Sequence, residues 1–238
     1  MKKPAVTPVV ATGPASMRQR RKQARPQELL VAALDLFVER GFAATRSEDV
    51  AARAGVSKGT LYLYYPSKEE LLKAVIRQQL SSQIAAGALE VERYVGPTST
   101  LLVEVLSRWW QGVFDSPASG VFKLVITEVR GFPEIADFYV QEVIEPGERV
   151  IGSIVQRGID RGEFRKLDVP TVVHSLVLPM VMLCLHKHSI GACTQHKHDI
   201  DPHRFIRDHI ELMLHGMQTS PTAAEAPRPA AKAKATAK

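Results

Sequence analysis

Apolar residues recur at helical spacing along most of the chain, and the first such face is Leu30, Ala33, Leu34, Phe37 and Val38. Pro26 suits the first turn of that helix and Gly41 its stop. Thr45 with Glu48 three residues on reads as a capping box, opening a short second helix through Val50, Ala51 and Ala54 to Gly55. Ser57 caps a third segment, Lys58 to about Tyr64, which Pro66 closes. Ser67 with Glu70 opens a long fourth helix carrying Leu71, Leu72, Val75, Ile76, Leu80 and Ile84. Beyond Gly96-Pro97 the pattern predicts helices over Leu101 to Phe114, Val121 to Arg130 and Glu134 to Ile144. After a break at Pro146-Gly147 it predicts another over Glu148 to Arg161, stopped at Gly162. A helix from near Asp168 to about Lys187 is apolar on all sides and reads as buried. The last presents Ile206, Ile210, Met213, Leu214 and Met217 on one face. No period-2 stretch competes and no internal repeat appears, so the fold class is all-α.

Composition narrows the picture less than charge placement does. At 238 residues with 45% apolar content the chain can bury a substantial core. Residues 1–25 hold seven Lys/Arg and no acid, and 219–238 hold four basic residues against Glu225; with a total of +6, residues 26–218 therefore carry −4. Basicity alone thus makes no case for nucleic acid, because the folded part is mildly acidic. The Pro- and Ala-rich leader with its basic run Arg18 to Arg25, and the Ala/Pro/Lys tail from Thr219, read as disordered arms able to track phosphate. The leader only faintly imitates a signal peptide, and two cysteines form no disulfide framework, which fits a reducing cytoplasm. The near-apolar run Val172 to Leu185 is interrupted by His174, Ser175 and Pro179. It falls short of the roughly 18 residues of a membrane span, so no membrane partner is expected.

The chemistry lies in Thr45 to Leu71, TRSEDVAARAGVSKGTLYLYYPSKEEL. Two short helices meet across Ala54-Gly55-Val56, where glycine permits a left-handed turn and Val56 supplies the apolar contact of a helix-turn-helix corner. Ser57, Lys58, Thr60, Tyr62 and Tyr64 then offer hydroxyls and a cation suited to phosphates and base edges in a major groove, while Leu61 faces the corner and Tyr65 the core. Arg46 is a candidate base reader. The run Gly55-Val56-Ser57-Lys58-Gly59-Thr60-Leu61-Tyr62, followed by Tyr64-Tyr65-Pro66-Ser67-Lys68-Glu69-Glu70-Leu71, with Gly41-Phe42 and Thr45 ahead of it, resembles the helix-turn-helix of the TetR (tetracycline-repressor) family over about residues 26–75. The resemblance implies that Thr45 and Arg46 sit at the backbone and groove edge, that the third helix, Gly59 and Leu63 included, enters the major groove, and that Lys68 contacts a phosphate. Ser47 and Leu63 depart from the family pattern, which usually has a small apolar residue at the first position and commonly a polar, often aromatic or basic, one at the second.

The same resemblance implies a helical effector-binding and dimerisation domain over 76–218, whose last two helices, about 168–188 and 202–217, form a four-helix bundle between two copies. A palindromic double-stranded DNA operator follows from such a twofold. The segment 131–164 also looks like a regulatory-domain segment of this family. Candidate effector residues are Trp109, Trp110, Phe114, Phe122 and Ile126, together with Phe138, Tyr139, His174 and Met180. This mostly apolar set favours a small apolar or aromatic effector over a sugar or nucleotide. The implied mechanism is a repressor whose fourth helix swings the reading heads out of register when effector binds. A rival reading is a metal sensor built on Cys184, His186, His188, Cys193, His196, His198, Asp199 and His203, although the spacing matches no standard zinc finger. No phosphate loop, nucleophile elbow or zinc-protease motif points to an enzyme, and no cofactor is expected.

Overall fold

In the structure, a computed structural model, residues 14–193 and 200–219 are described, those of 14–24 by their backbone alone. Among them the regular elements are helices, apart from one isolated bridge between Phe164 and Gln218. Helix α1 spans Pro14–Arg40 and so begins upstream of the start expected at Pro26. The segment MRQRRKQAR ahead of Pro26 has no apolar face to betray a helix, but its long unbranched side chains favour one. Pro26 lies inside this helix, where it removes one N–H bond and its ring crowds the carbonyl four residues earlier. Residues 1–13 and 220–238, the remainder of the two expected arms, lie outside the described residues.

Helices α2 (Ser47–Arg53) and α3 (Lys58–Tyr64) complete the head with the start of α4. Helix α4 covers residues 68–93 as Lys68–Ile76, one turn of i→i+5 bonding at Arg77–Ser81, and Ser82–Arg93. Helix α5, residues 98–115, has such a turn at Leu101–Val105, and α6 is Ala118–Glu128. Helix α7, residues 133–160, has a third at Val140–Ile144. This last turn corrects the break predicted at Pro146-Gly147: the wider register just ahead of Pro146 makes room for a ring that would collide with a regular α-helical carbonyl, and the helix runs on.

Helices α8 (Val169–Lys187) and α9 (Pro202–Met217) close the body, capped by Asp168 and Asp201, whose carboxylates accept Thr171 N–H at 3.0 Å and His203 N–H at 2.9 Å. A single apolar core runs from head to body, with α1 packed on α2 and α4 on one side and on α6 on the other. Helix α8, expected to be buried on all sides, is covered by its own chain on one face only, through Val172, Val173, Leu176, Met180 and Cys184. Leu178 and Met182, one turn apart, are 58% and 60% exposed, and Leu212 on α9 is 70% exposed. With the turn that follows, the helical stretch Val169–Cys193 is also long and apolar enough, by length and composition, to cross a membrane, which the shorter run read from sequence was not.

Candidate DNA-reading surface and effector cavity

The corner between α2 and α3 forms for local reasons. Gly55 adopts φ +64°, where a Cβ would be strained, and Val56 N–H donates to Ala51 O at 2.9 Å, closing the end of α2. Ser57 Oγ accepts Thr60 N–H at 3.2 Å and starts α3, while Leu61 is fully buried and anchors it. Ser67 Oγ likewise accepts Glu70 N–H at 3.1 Å, but the Glu70 carboxylate turns to Lys73 at 2.9 Å instead of completing a box.

Two residues expected at the DNA bond to the chain's own backbone, Thr45 buried and Lys68 half-buried. Thr45 is 1% exposed and its hydroxyl lies 2.7 Å from Gly41 O and 3.2 Å from Leu36 O, so it ties the end of α1 and is not at a groove edge. The cap of α2 is accordingly Arg46, whose N–H lies 3.4 Å from the Asp49 carboxylate, and not Thr45 with Glu48. Lys68 directs its ammonium at Phe42 O (2.8 Å), Thr45 O (3.1 Å) and Ala43 O (3.3 Å), and sits 4.4 Å from the centre of the Phe42 ring. All three of its donors meet this loop, so in the DNA-free chain Lys68 holds the α1–α2 connection. Ser47, the departure at a small apolar position, is buried.

The remaining candidates reach solvent. Arg46, Ser57, Lys58, Gly59, Tyr62 and Leu63 are exposed, and Thr60 and Tyr64 are half-buried. Lys58 pairs with Glu48 and lies 5.7 Å from the Tyr62 ring centre. The hydrogen bond between the two charged groups holds the Glu48 carboxyl below and the Lys58 ammonium above its usual range. Tyr65 packs on the core, with its hydroxyl 3.4 Å from Pro26 O.

In the body, a cavity of about 280 Å³ opens between α4, α5, α6, α7 and α8. Six of the nine effector candidates line it: Trp109, Trp110, Phe122, Ile126, Tyr139 and His174. Phe114, Phe138 and Met180 do not. Phe114 lies under the Lys187 ammonium at 4.5 Å, Phe138 under the Arg77 guanidinium at 4.6 Å, and Met180 is packed in the core at 1% exposure. Sequence reasoning missed the aliphatic lining, Leu80, Ile84, Val143, Ile151, Val173, Val177 and Val181, which looks like any helical core position until the helices are assembled. The polar groups at the wall are few. His174 Nε2 is 3.4 Å from a Glu148 carboxylate oxygen, and burial pushes the Tyr139 phenol above its usual range. A smaller pocket of about 110 Å³ adjoins through Ile84, Trp109, Gly147 and Ile151.

Helix α6 touches both regions. Phe122 and Ile126 face the cavity, whereas Lys123 donates to Val38 O at 3.2 Å at the end of α1 and the Glu128 carboxylate lies 3.4 Å from Ala43 N. Just beyond α6, Phe132 stacks edge-on against Phe42 (4.8 Å, 88°), which itself meets Phe37 (5.2 Å, 66°). Gly120 lies so close to Val38 that a Cβ there would meet Cγ2 at 2.6 Å.

The Cys/His cluster disperses. Cys184 is 1% exposed in the core, His188 Nε2 lies 2.8 Å from Ser119 Oγ, and His203 Nε2 lies 2.9 Å from an Asp115 carboxylate oxygen, while Cys193 is exposed. His186 sits near Gly191. His196, His198 and Asp199 lie outside the described residues, and among those described no group of three His, Cys, Asp or Glu could hold a metal ion.

Comparison with known proteins adds to this geometry. Residues 29–75 match the model of bacterial regulatory proteins of the tetR family, and residues 96–191 match that of the tetracyclin repressor-like C-terminal domain. The chain is 27% identical over 160 residues to the uncharacterized HTH-type transcriptional regulator YfiR of Bacillus subtilis, a match spanning 67% of this chain and 77% of the other. It is 30% identical over 154 residues to the HTH-type transcriptional repressor KstR2 of Mycolicibacterium smegmatis, spanning 62% of this chain and 72% of the other. Among solved structures, the transcriptional regulator FadR of Bacillus subtilis in complex with stearoyl-CoA has the same fold, with a TM-score of 0.66 at 19% identity over 81% of this chain and 99% of that one.

Proposed function

The chain belongs to the TetR family of DNA-binding transcriptional regulators, and we propose that it is a homodimeric repressor that holds a palindromic operator until a small apolar or aromatic effector releases it. On this reading α1 to α3 and the start of α4 form the reading head and the rest of the described chain the effector-binding and dimerising body. Arg46, Ser57, Lys58, Gly59, Thr60, Tyr62, Leu63 and Tyr64 form the DNA-facing surface.

The observation that carries the proposal is the double engagement of α6. An effector entering the cavity presses on Phe122 and Ile126, and the same helix grips the end of α1 through Lys123 and the following loop through Glu128. A ligand that binds one setting of α6 better than another shifts the population of head positions by that differential affinity, and a coupling of about 1–3 kcal/mol gives roughly 5- to 150-fold release. The cavity size and sparse polar groups favour a compact ligand, while merger with the adjoining pocket would admit a longer one.

The test is a selection from random duplex DNA with the full chain, followed by titration of the complex with naphthalene and with stearoyl-CoA as probes of the two ligand shapes. An enriched palindrome and release by either probe, lost in Ile126→Trp, is the expected result. Enrichment of no sequence sinks the repressor reading, and a palindrome whose complex ignores both probes and is unchanged by Ile126→Trp removes the cavity from the mechanism.

A further inference from the structure

Resting on the assignment of α3 as the reading helix, we propose that it reads its operator chiefly through the 5-methyl groups of thymine, with Leu63 as the residue that selects them. Three of the polar side chains at α3 are paired within the protein, those of Ser57, Lys58 and Thr60. Ser57 Oγ accepts Thr60 N–H and shares a second hydrogen bond, at 2.9 Å, with Thr60 Oγ1, while the Lys58 ammonium is paired with Glu48. Beside the ion-paired Lys58, α3 presents outward Gly59, Tyr62 and Leu63, with Tyr62 and Leu63 three and four residues beyond Gly59 on one stripe. Leu63 is 77% exposed, whereas Leu61 two residues away is fully buried. Around it only Tyr62 continues the apolar surface on α3, which is too small a patch for protein docking.

Gly59 supplies an independent observation. A Cβ added there would meet nothing nearer than Ser57 Oγ at 3.9 Å, and its backbone is not among those at positive φ. Glycine inside a helix costs about 1 kcal/mol relative to alanine. Nothing in this fold requires it, so the missing side chain serves an approach from outside: it lets α3 settle deeper in the groove and brings Leu63 and Tyr62 onto the base edges. Leucine can neither donate nor accept a hydrogen bond, and the thymine methyl is the apolar feature of the unmodified major groove. Set against any other base edge, Leu63 would cover polar groups without pairing them.

The experiment uses the palindrome enriched by the full chain, with each thymine replaced in turn by deoxyuridine, which removes the 5-methyl group alone. Wild type is expected to lose about fourfold in affinity per contacted methyl, and about fifteenfold when the symmetry-related pair is replaced. Leu63→Ala, with its helicity checked by circular dichroism, should bind the thymine operator more weakly by a similar factor and no longer distinguish uracil at that pair. Gly59→Ala should melt at or above the wild-type temperature yet bind the operator more weakly. Indifference of wild type to uracil at every position overturns the inference, as does a Leu63→Ala variant that keeps the full uracil sensitivity. A Gly59→Ala variant with undiminished affinity overturns the close approach. Failure to enrich any palindrome instead defeats the operator-reading function itself.

Discussion

Thr45 and Lys68 illustrate how residue type and motif position leave a side chain's partner open. A hydroxyl and an ammonium next to a reading helix suit phosphate oxygens, yet here both bind backbone carbonyls of the α1–α2 connection, the free acceptors left where a helix ends. The expected consequence is that Lys68→Ala lowers stability by about 1–2 kcal/mol, the cost of losing partly exposed charge-assisted bonds, measurable by urea denaturation. If Lys68 keeps these carbonyl bonds on DNA, the slope of log affinity against log salt should match wild type, because a lysine held away from phosphate releases no counterion. A slope reduced by about one would return Lys68 to the DNA backbone.

At the scale of elements, the joint between α6, α8 and α1 decides how the body holds the head, and it contains a group sensitive to acid. His188 packs beside Gly120, accepts or donates a hydrogen bond with Ser119, and faces Lys187 on its own helix end and Lys123 on α6. Burial, reinforced by the two ammonium groups, holds its imidazole below the usual value of 6.5. The unfolded chain therefore binds this proton more readily than the folded one, so stability falls as pH drops below about 6.5 and the loss continues down to the depressed folded value. The melting temperature of wild type should fall more steeply between pH 7.5 and 5.5 than that of His188→Gln, and parallel curves would remove His188 from the acid response. The helices of this joint are legible as apolar periodicity in the sequence. The turns of i→i+5 bonding at Arg77–Ser81, Leu101–Val105 and Val140–Ile144 have no counterpart in that periodicity.

For the whole molecule, the apolar surface of α8 and α9 is larger than one chain covers. Met182 and Leu212 lie exposed on the two helices that the family resemblance assigns to a dimer bundle, and all of α8 falls within the residues matched to the tetracyclin repressor-like domain. Replacing Met182 and Leu212 together with Asp should yield a monomer in sedimentation. It should also lower affinity for a palindrome by at least about tenfold while sparing an isolated half-site, since the second head no longer arrives with the first. A variant that remains dimeric would place the twofold contact elsewhere.

Caps, glycines and apolar spacing determine the order of the helices and the helix-turn-helix corner from sequence alone, because these are interactions among residues within a turn or two of one another. Ser57, Gly55 and Leu61 do in the structure what their spacing predicts. Which polar side chains stay free for a partner, and which aromatic ones border a cavity, only the tertiary structure decided. Lys68 reaches carbonyls more than twenty positions earlier, and Phe122 and Tyr139 share a wall with valines of α8 that no local pattern distinguishes from core. Such assignments depend on distances between helices far apart in sequence, set by how their faces pack.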